Sequence, residues 1–162
     1  MTPQEQFLTQ AFAAAKASGH IFPDYAACET ALESAWGQSQ LCQQANNLFG
    51  EKQTHPPVYD TLALPTREFL HGTWVSVTAQ WIKFPDWASA FQLRMQTLQR
   101  LQNSIPSYKL ALTATDGVHF VQYVSQAWST DPDRAGKVLT IHDHHQDVFA
   151  AGSSVSGTVA GG

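Results

Sequence analysis

Glu33 is the residue whose surroundings in this sequence point most directly to chemistry. It stands in Leu32-Glu33-Ser34-Ala35-Trp36-Gly37, where an apolar helical stretch gives way to a glycine beside a tryptophan. Three influences there favour the neutral acid. Burial disfavours the charged form. The helix C-terminus carries partial negative charge. Glu29, one turn earlier, adds a like charge if it shares the same side. A carboxyl group that keeps its proton near neutrality can donate it to a glycosidic oxygen. The competing interpretation is an ordinary exposed helical glutamate. A nucleophilic role for Ser34 finds no support, because it lacks a Gly-x-Ser-x-Gly context.

The elements that must position Glu33 can be read from caps and periodicity. Thr2-Pro3-Gln4-Glu5 forms a capping box, and Phe7, Leu8, Ala11, Phe12 and Ala15 recur at helical spacing up to Gly19. Pro23-Asp24 opens a second helix with Tyr25, Cys28, Leu32 and Ala35 on its buried stripe and Gly37 as its stop. Ser39 caps a short third helix through Ala45. Then the period changes. Val75, Val77, Ala79 and Trp81 alternate with Ser76, Thr78 and Gln80, and His71-Gly72 links this run to Arg67-Glu68-Phe69-Leu70 as a β-hairpin. Asp86 caps a helix carrying Trp87, Phe91, Met95 and Leu98, which ends by Asn103–Pro106. Shorter helices are expected around 108–113 and 118–127. A last one starts at Asp131-Pro132, with Ala135, Val138 and Leu139 facing inward.

The fold class expected is therefore α+β, mainly α: a helical lobe with a small β-hairpin lobe at about 51–84, and a cleft between them with Glu33 on its floor. Residues 1–149 make one domain. The stretch from Ala150 holds only Ala, Gly, Ser, Thr and Val, and is expected to be a mobile tail or linker over 150–162.

Composition sets bounds. The 162 residues are 43% hydrophobic and 11% aromatic, enough for one substantial core. A net charge of −4 leaves no footprint for nucleic acid or for an anionic membrane surface. No apolar run approaches a membrane span. Met1-Thr2-Pro3-Gln4-Glu5 lacks the basic start and apolar core of a secretory signal, so the expectation is a removed signal or another route of exit. Cys28 and Cys42 form no CxxC motif and stand as two buried thiols or as one disulfide. His142-Asp143-His144-His145 lacks a second ligand pair and reads as a solvated helix end rather than a metal tract. No metal or other cofactor is expected.

The segment 32–39 followed by Asn46-Asn47-Leu48-Phe49-Gly50-Glu51-Lys52 resembles the signature of glycoside hydrolase family 73, N-acetylglucosaminidases that cut peptidoglycan and include autolysins, flagellar muramidase-like enzymes and phage endolysins. Thr66-Arg67-Glu68-Phe69 with His71-Gly72, Lys83-Phe84-Pro85-Asp86-Trp87-Ala88-Ser89 and Ala127-Trp128-Ser129-Thr130-Asp131-Pro132 resemble later blocks of that family in the same order, so the likeness covers roughly residues 4 to 142. The resemblance implies a lysozyme-like fold and makes Glu33 the catalytic acid. Departures exist. Trp128 replaces the family's active-site Tyr, Phe69 replaces the Tyr after the second Glu, and the usual Arg after Phe84 is missing.

Within that frame, a second carboxylate is needed as base or nucleophile, unless the substrate's own N-acetyl group serves. Glu68 matches the family's second Glu and is the first choice; Asp60 is the rival, with Glu51 behind it. Asn47 holds a turn or hydrogen-bonds substrate. Trp74 and Trp81 fall on opposite hairpin faces, so one of them is free to meet sugar, and Trp128 offers a stacking surface. The activity implied is hydrolysis of the β-1,4 bond after N-acetylglucosamine, by a monomer acting on peptidoglycan glycan strands. Alternatives are a muramidase or lytic transglycosylase, and an inactive cell-wall-binding module. The protein would work secreted or in the cell wall, or wait in a host cytoplasm for holin-mediated release if phage-encoded.

Overall fold

The computed structural model describes residues 1–152. Seven helices and one hairpin follow in order: α1 (Pro3–Ala17), α2 (Pro23–Glu33), α3 (Gln40–Ala45), β1 (Asp60–Leu70), β2 (Thr73–Lys83), α4 (Trp87–Leu101), α5 (Pro106–Leu112), α6 (Gly117–Trp128) and α7 (Arg134–His144). Residues 146–152 are helical as well. The tail expected from 150 therefore begins inside a helix, and the rest of it lies outside the described residues. No helix among them is long and apolar enough to cross a membrane.

Local rules place these elements. The capping box of α1 is made in both directions: the Glu5 amide donates to Thr2 Oγ1 at 3.1 Å, and the Thr2 amide donates to Glu5 Oε2 at 2.9 Å. Ser39 and Asp86 cap α3 and α4 as expected. Phe7, Leu8, Ala11, Phe12 and Ala15 bury one stripe of α1 against α2, which in turn packs on α6 and α7. Gly117 permits the α2–α6 approach, because a Cβ there would lie 2.0 Å from the Tyr25 ring.

α2 stops at Glu33, before the expected Gly37. The Trp36 amide donates to Ala31 O at 2.8 Å, with Ala35 at φ 50°, which is the Schellman arrangement of a helix end. Trp36 and Gly37 also have positive φ, so three successive residues are left-handed, two of them without the freedom of glycine. Buried Ser34 braces this turn. Its hydroxyl donates to Thr30 O at 2.6 Å and accepts from the Gly37 amide at 2.9 Å. The turn ends the helix with Glu33 in its last position.

The β lobe is a two-stranded antiparallel ribbon of eleven residues a side. His71 and Gly72 both have positive φ, as a tight hairpin turn needs. Glu68 pairs with Val75 and Leu62 with Trp81, so Leu62, Leu64, Thr66, Glu68, Val75, Val77, Ala79 and Trp81 share one face. Phe69 and Trp74 pair on the other.

Two secondary expectations resolve here. Cys28 and Cys42 are both buried free thiols, and no disulfide joins them. His142 is not a solvated end. It stacks 3.8 Å from the Tyr25 ring, and its Nε2 lies 2.8 Å from Asp24 Oδ2, which ties α7 to the start of α2.

Candidate active site

The carboxylates of α2 are organised by two buried arginines. Arg94 of α4 and Arg134 of α7 are 0% and 1% exposed and meet at Glu29. Arg94 Nη1 donates to Glu29 Oε1 at 2.9 Å, Arg94 Nη2 and Arg134 Nη2 both donate to Glu29 Oε2, and Arg134 Nη1 donates to Ser125 Oγ at 2.8 Å. Arg134 Nε donates to Glu33 Oε1 at 2.9 Å. One guanidinium thus spans Glu29, Glu33 and Ser125, using the fork geometry that a lysine lacks.

This arrangement overturns the expected electrostatics of Glu33: the charged group beside it is the Arg134 guanidinium, not a like charge from Glu29. Glu29 is not a like charge on an exposed side. Burial works against its ionisation, but Arg94 and Arg134 outweigh that and hold its carboxyl at about 2. Its charge is compensated inside the protein. Burial likewise opposes the charge of Arg134, and Glu29 and Glu33 outweigh it, so its pKa is raised. Trp36 packs edge-on to Phe7 and against His145. Glu33 remains 23% exposed, with Oε1 anchored by Arg134 and no donor on Oε2 among the described residues.

A groove of about 790 Å³ lies between the helical body and the base of the hairpin, lined among others by Phe49, Glu51, Lys52, Ile82, Tyr108 and Trp128. Arg94 connects it to the acid cluster, its Cζ 4.4 Å from the Trp128 ring and 4.6 Å from Phe49. Glu33 is not on the groove wall itself; it stands at the far end of the chain Trp128–Arg94–Glu29–Arg134. Trp128, an expected sugar platform, is on that wall, its ring 5.7 Å from Phe49 and 6.2 Å from Tyr108.

The other expected site residues separate. Glu68 sits on the hairpin face that carries Trp81, with a 3.6 Å contact to Lys52 Nζ and 42% side-chain exposure. Lys52 reaches back to the groove wall and over the Trp81 ring at 5.2 Å. Trp74, 61% exposed, is on the opposite face, packed on Phe69 at 5.4 Å and under Arg67. Trp74 and Glu68 therefore do not share a wall. Asp60 is exposed at the start of β1, opposite Lys83.

Asn47 is a brace rather than a substrate contact. It is 2% exposed; its Nδ2 donates to Glu51 O and Ile82 O, both at 2.9 Å, and its Oδ1 accepts from the Glu51 amide at 3.0 Å. No polar atom of its amide is left for a ligand. Together with Asn46 Nδ2, which donates to Phe84 O at 3.1 Å, it ties the end of α3 to the end of β2. Among the described residues no three His, Cys, Asp or Glu side chains are arranged to hold a metal ion.

Sequence reasoning missed Arg94 and Arg134. The signal was present for Arg94, which lies three residues after Phe91 and four before Leu98, on the apolar stripe of α4. Glu29, four after Tyr25, interrupts the stripe of α2 in the same way. Charges on buried stripes call for partners of opposite sign.

Exo-glucosaminidase LytG of Bacillus subtilis is 28% identical over 124 residues, 75% of this chain and 43% of that protein. A probable N-acetylmuramidase of Lactococcus lactis is 26% identical over 161 residues, 95% of this chain and 36% of that protein. The chain thus spans less than half the length of either relative. The catalytic domain of the Listeria monocytogenes autolysin Auto shares the fold with a TM-score of 0.75 at 24% identity, over 90% of this chain and 86% of that one. The glycoside hydrolase domain of Salmonella typhimurium FlgJ, in a C-terminally truncated form, superposes with a TM-score of 0.69 at 22% identity, over 89% and 98%. Residues 9–147 match the glucosaminidase model, described as mannosyl-glycoprotein endo-beta-N-acetylglucosaminidase, and the chain belongs to that family of glycoside hydrolases.

Proposed function

We propose that this protein hydrolyses peptidoglycan glycan strands at the β-1,4 bond after N-acetylglucosamine, with Glu33 as the general acid. The observation that carries the assignment is the place of Glu33, a partly exposed carboxyl in the last position of α2 with one oxygen, Oε2, that takes no donor among the described residues, while Arg134 Nε fixes Oε1 at 2.9 Å. Anchoring Oε1 leaves Oε2 to deliver the proton to the glycosidic oxygen. As the proton leaves, negative charge grows on Glu33 beside a guanidinium already in place, so little reorganisation is needed at that moment. Ser125 and Glu29 fix that guanidinium from behind.

Glu68 is the partner carboxylate in this reading. The hairpin holds it on the same face as Trp81, next to Lys52, and a ribbon of two strands anchored only at its base can swing toward a bound strand. Trp128 supplies the flat apolar surface for a sugar ring in the groove. The protein acts as a monomer in the cell wall, after secretion or after release from a phage-infected cell.

The test is mass spectrometry of the borohydride-reduced ends released from purified peptidoglycan. Glucosaminitol ends are expected. Muramitol or anhydro-sugar ends would place the cut on the other side of the repeat, and cosedimentation with walls without any release would make the chain a binding module.

A further inference from the structure

Among the described residues, Glu51 is the one carboxyl group that lines the groove. Its backbone is fixed: the amide donates to Asn47 Oδ1, and the carbonyl accepts from Asn47 Nδ2 and from the Ile82 amide at 3.1 Å. Its side chain lines the groove together with Phe49, Tyr108 and Trp128, yet Oε2 is buried with no hydrogen-bond partner. A buried, unsatisfied carboxylate oxygen is costly, and such groups point to a ligand or to the neutral form. Resting on the glycan-hydrolase reading above, we propose that Glu51 is a substrate-binding residue whose carboxyl O–H donates a hydrogen bond to an oxygen of the glycan strand lying in the groove against Phe49 and Trp128.

The charged neighbours set the conditions for this role. Burial pushes the Glu51 carboxyl up to about 7, against the pull of Arg94 and Arg100 of α4. Lys52 and His55 of the segment that follows Glu51, and Tyr108 of α5, line the same groove; Tyr59 lies close enough to feel the charge of Glu51. Arg94 gives Nη1 and Nη2 to Glu29; its Nε is buried and, like Glu51 Oε2, has no hydrogen-bond partner, so the two groups are not bonded to each other. Below neutrality Glu51 is a hydrogen-bond donor toward an acyl carbonyl oxygen of the strand, an atom that can only accept. Above it, the donor is replaced by a charge that repels the same oxygen. A glutamine keeps the donor and removes the titration.

The experiment measures kcat and KM on solubilised glycan strands from pH 5.5 to 8.5 for wild type, Glu51→Gln and Glu51→Ala, with thermal melts to confirm folding. For the wild type, KM is expected to rise above pH 7, approaching about tenfold per pH unit. Glu51→Gln is expected to stay within about threefold of wild type at pH 6 and to lose that rise. Glu51→Ala is expected to raise KM about fivefold to tenfold at pH 6 with kcat nearly unchanged. The proposal is overturned if Glu51→Gln keeps the wild-type alkaline rise, or if Glu51→Ala leaves KM unchanged. It is also overturned if Glu51→Gln loses kcat by about a hundredfold or more, since Glu51 would then be the second reacting carboxylate. A folded wild type that releases no reducing ends overturns the hydrolase reading and this proposal with it, whereas an active wild type with any of the other outcomes overturns the proposal alone.

Discussion

The acids of α2 and the acids of the β side are held in opposite ways. Glu29 and Glu33 are gripped by guanidinium groups from α4 and α7 at hydrogen-bond distance. Glu51 has a buried oxygen with no partner, and Glu68 has only a long contact to Lys52. The helical lobe spends a buried ion network on fixing one carboxyl in place. The hairpin side leaves its carboxyls free for whatever enters the cleft. An acid that must deliver a proton along one direction gains from rigidity. Groups that meet a flexible polymer gain from being uncommitted until it arrives.

The largest effect expected comes from breaking the fixed side. Arg134→Met removes the hydrogen bonds to Glu29, Glu33 and Ser125 and leaves buried charge half-compensated, so a loss of about 3–5 kcal/mol in unfolding free energy is expected from denaturant titration. Arg134→Lys is expected to recover only part of this, since one ammonium cannot span three acceptors. If Arg134→Met unfolded like wild type, the α2 acids would not be held as described.

A smaller loss is expected at the hinge between the two sides. Asn47→Ala strands the Glu51 amide and takes one donor from each of the carbonyls of Glu51 and Ile82, for a cost of about 2–3 kcal/mol, and hydrogen exchange at Ile82 and Glu51 should accelerate. Unchanged exchange there would mean the β lobe is anchored elsewhere.

The pH dependence of stability sharpens the contrast because the two buried carboxyls have opposite signs. Glu29 is depressed to about 2, so its contribution is present above the ordinary carboxylate pKa of about 4.5 and is lost as pH falls toward 2. Glu51 is raised to about 7, so the folded state binds its proton more tightly than the unfolded chain does. Its contribution is full below about 4.5 and is lost as pH rises through 7. Glu51→Gln is therefore expected to gain on the order of 2 kcal/mol relative to wild type at pH 8 compared with pH 5. Parallel stability curves for the two proteins would contradict the neutral, unpartnered Glu51.

Much of the scaffold was legible from local signals. The caps at Thr2, Ser39 and Asp86, the left-handed His71-Gly72 turn and the alternation after Thr73 act within a few residues, and the chain obeys them. The placement of Glu33 at a helix end was legible for the same reason, although the helix closes on Ala35 and Trp36 rather than on Gly37. What surrounds Glu33 was not. Arg134 reaches it across 101 residues and Arg94 reaches Glu29 across 65, and periodicity carries no information on which stripe meets which. Asn47 was ambiguous because an amide that closes a loop and an amide that binds sugar look alike until the acceptors are located. Trp74 was placed on the correct strand, but the face that meets sugar depends on how the ribbon leans on the body.

The central claim is that Glu33, oriented by Arg134, protonates the glycosidic oxygen. Its most direct measurement is the rate of reducing-end release from peptidoglycan by Glu33→Gln beside wild type, with matched thermal melts and wall-binding assays. The expected result is a folded variant that binds walls as wild type does and releases ends at least about a hundredfold more slowly. Release at the wild-type rate would contradict the assignment of Glu33 as the acid.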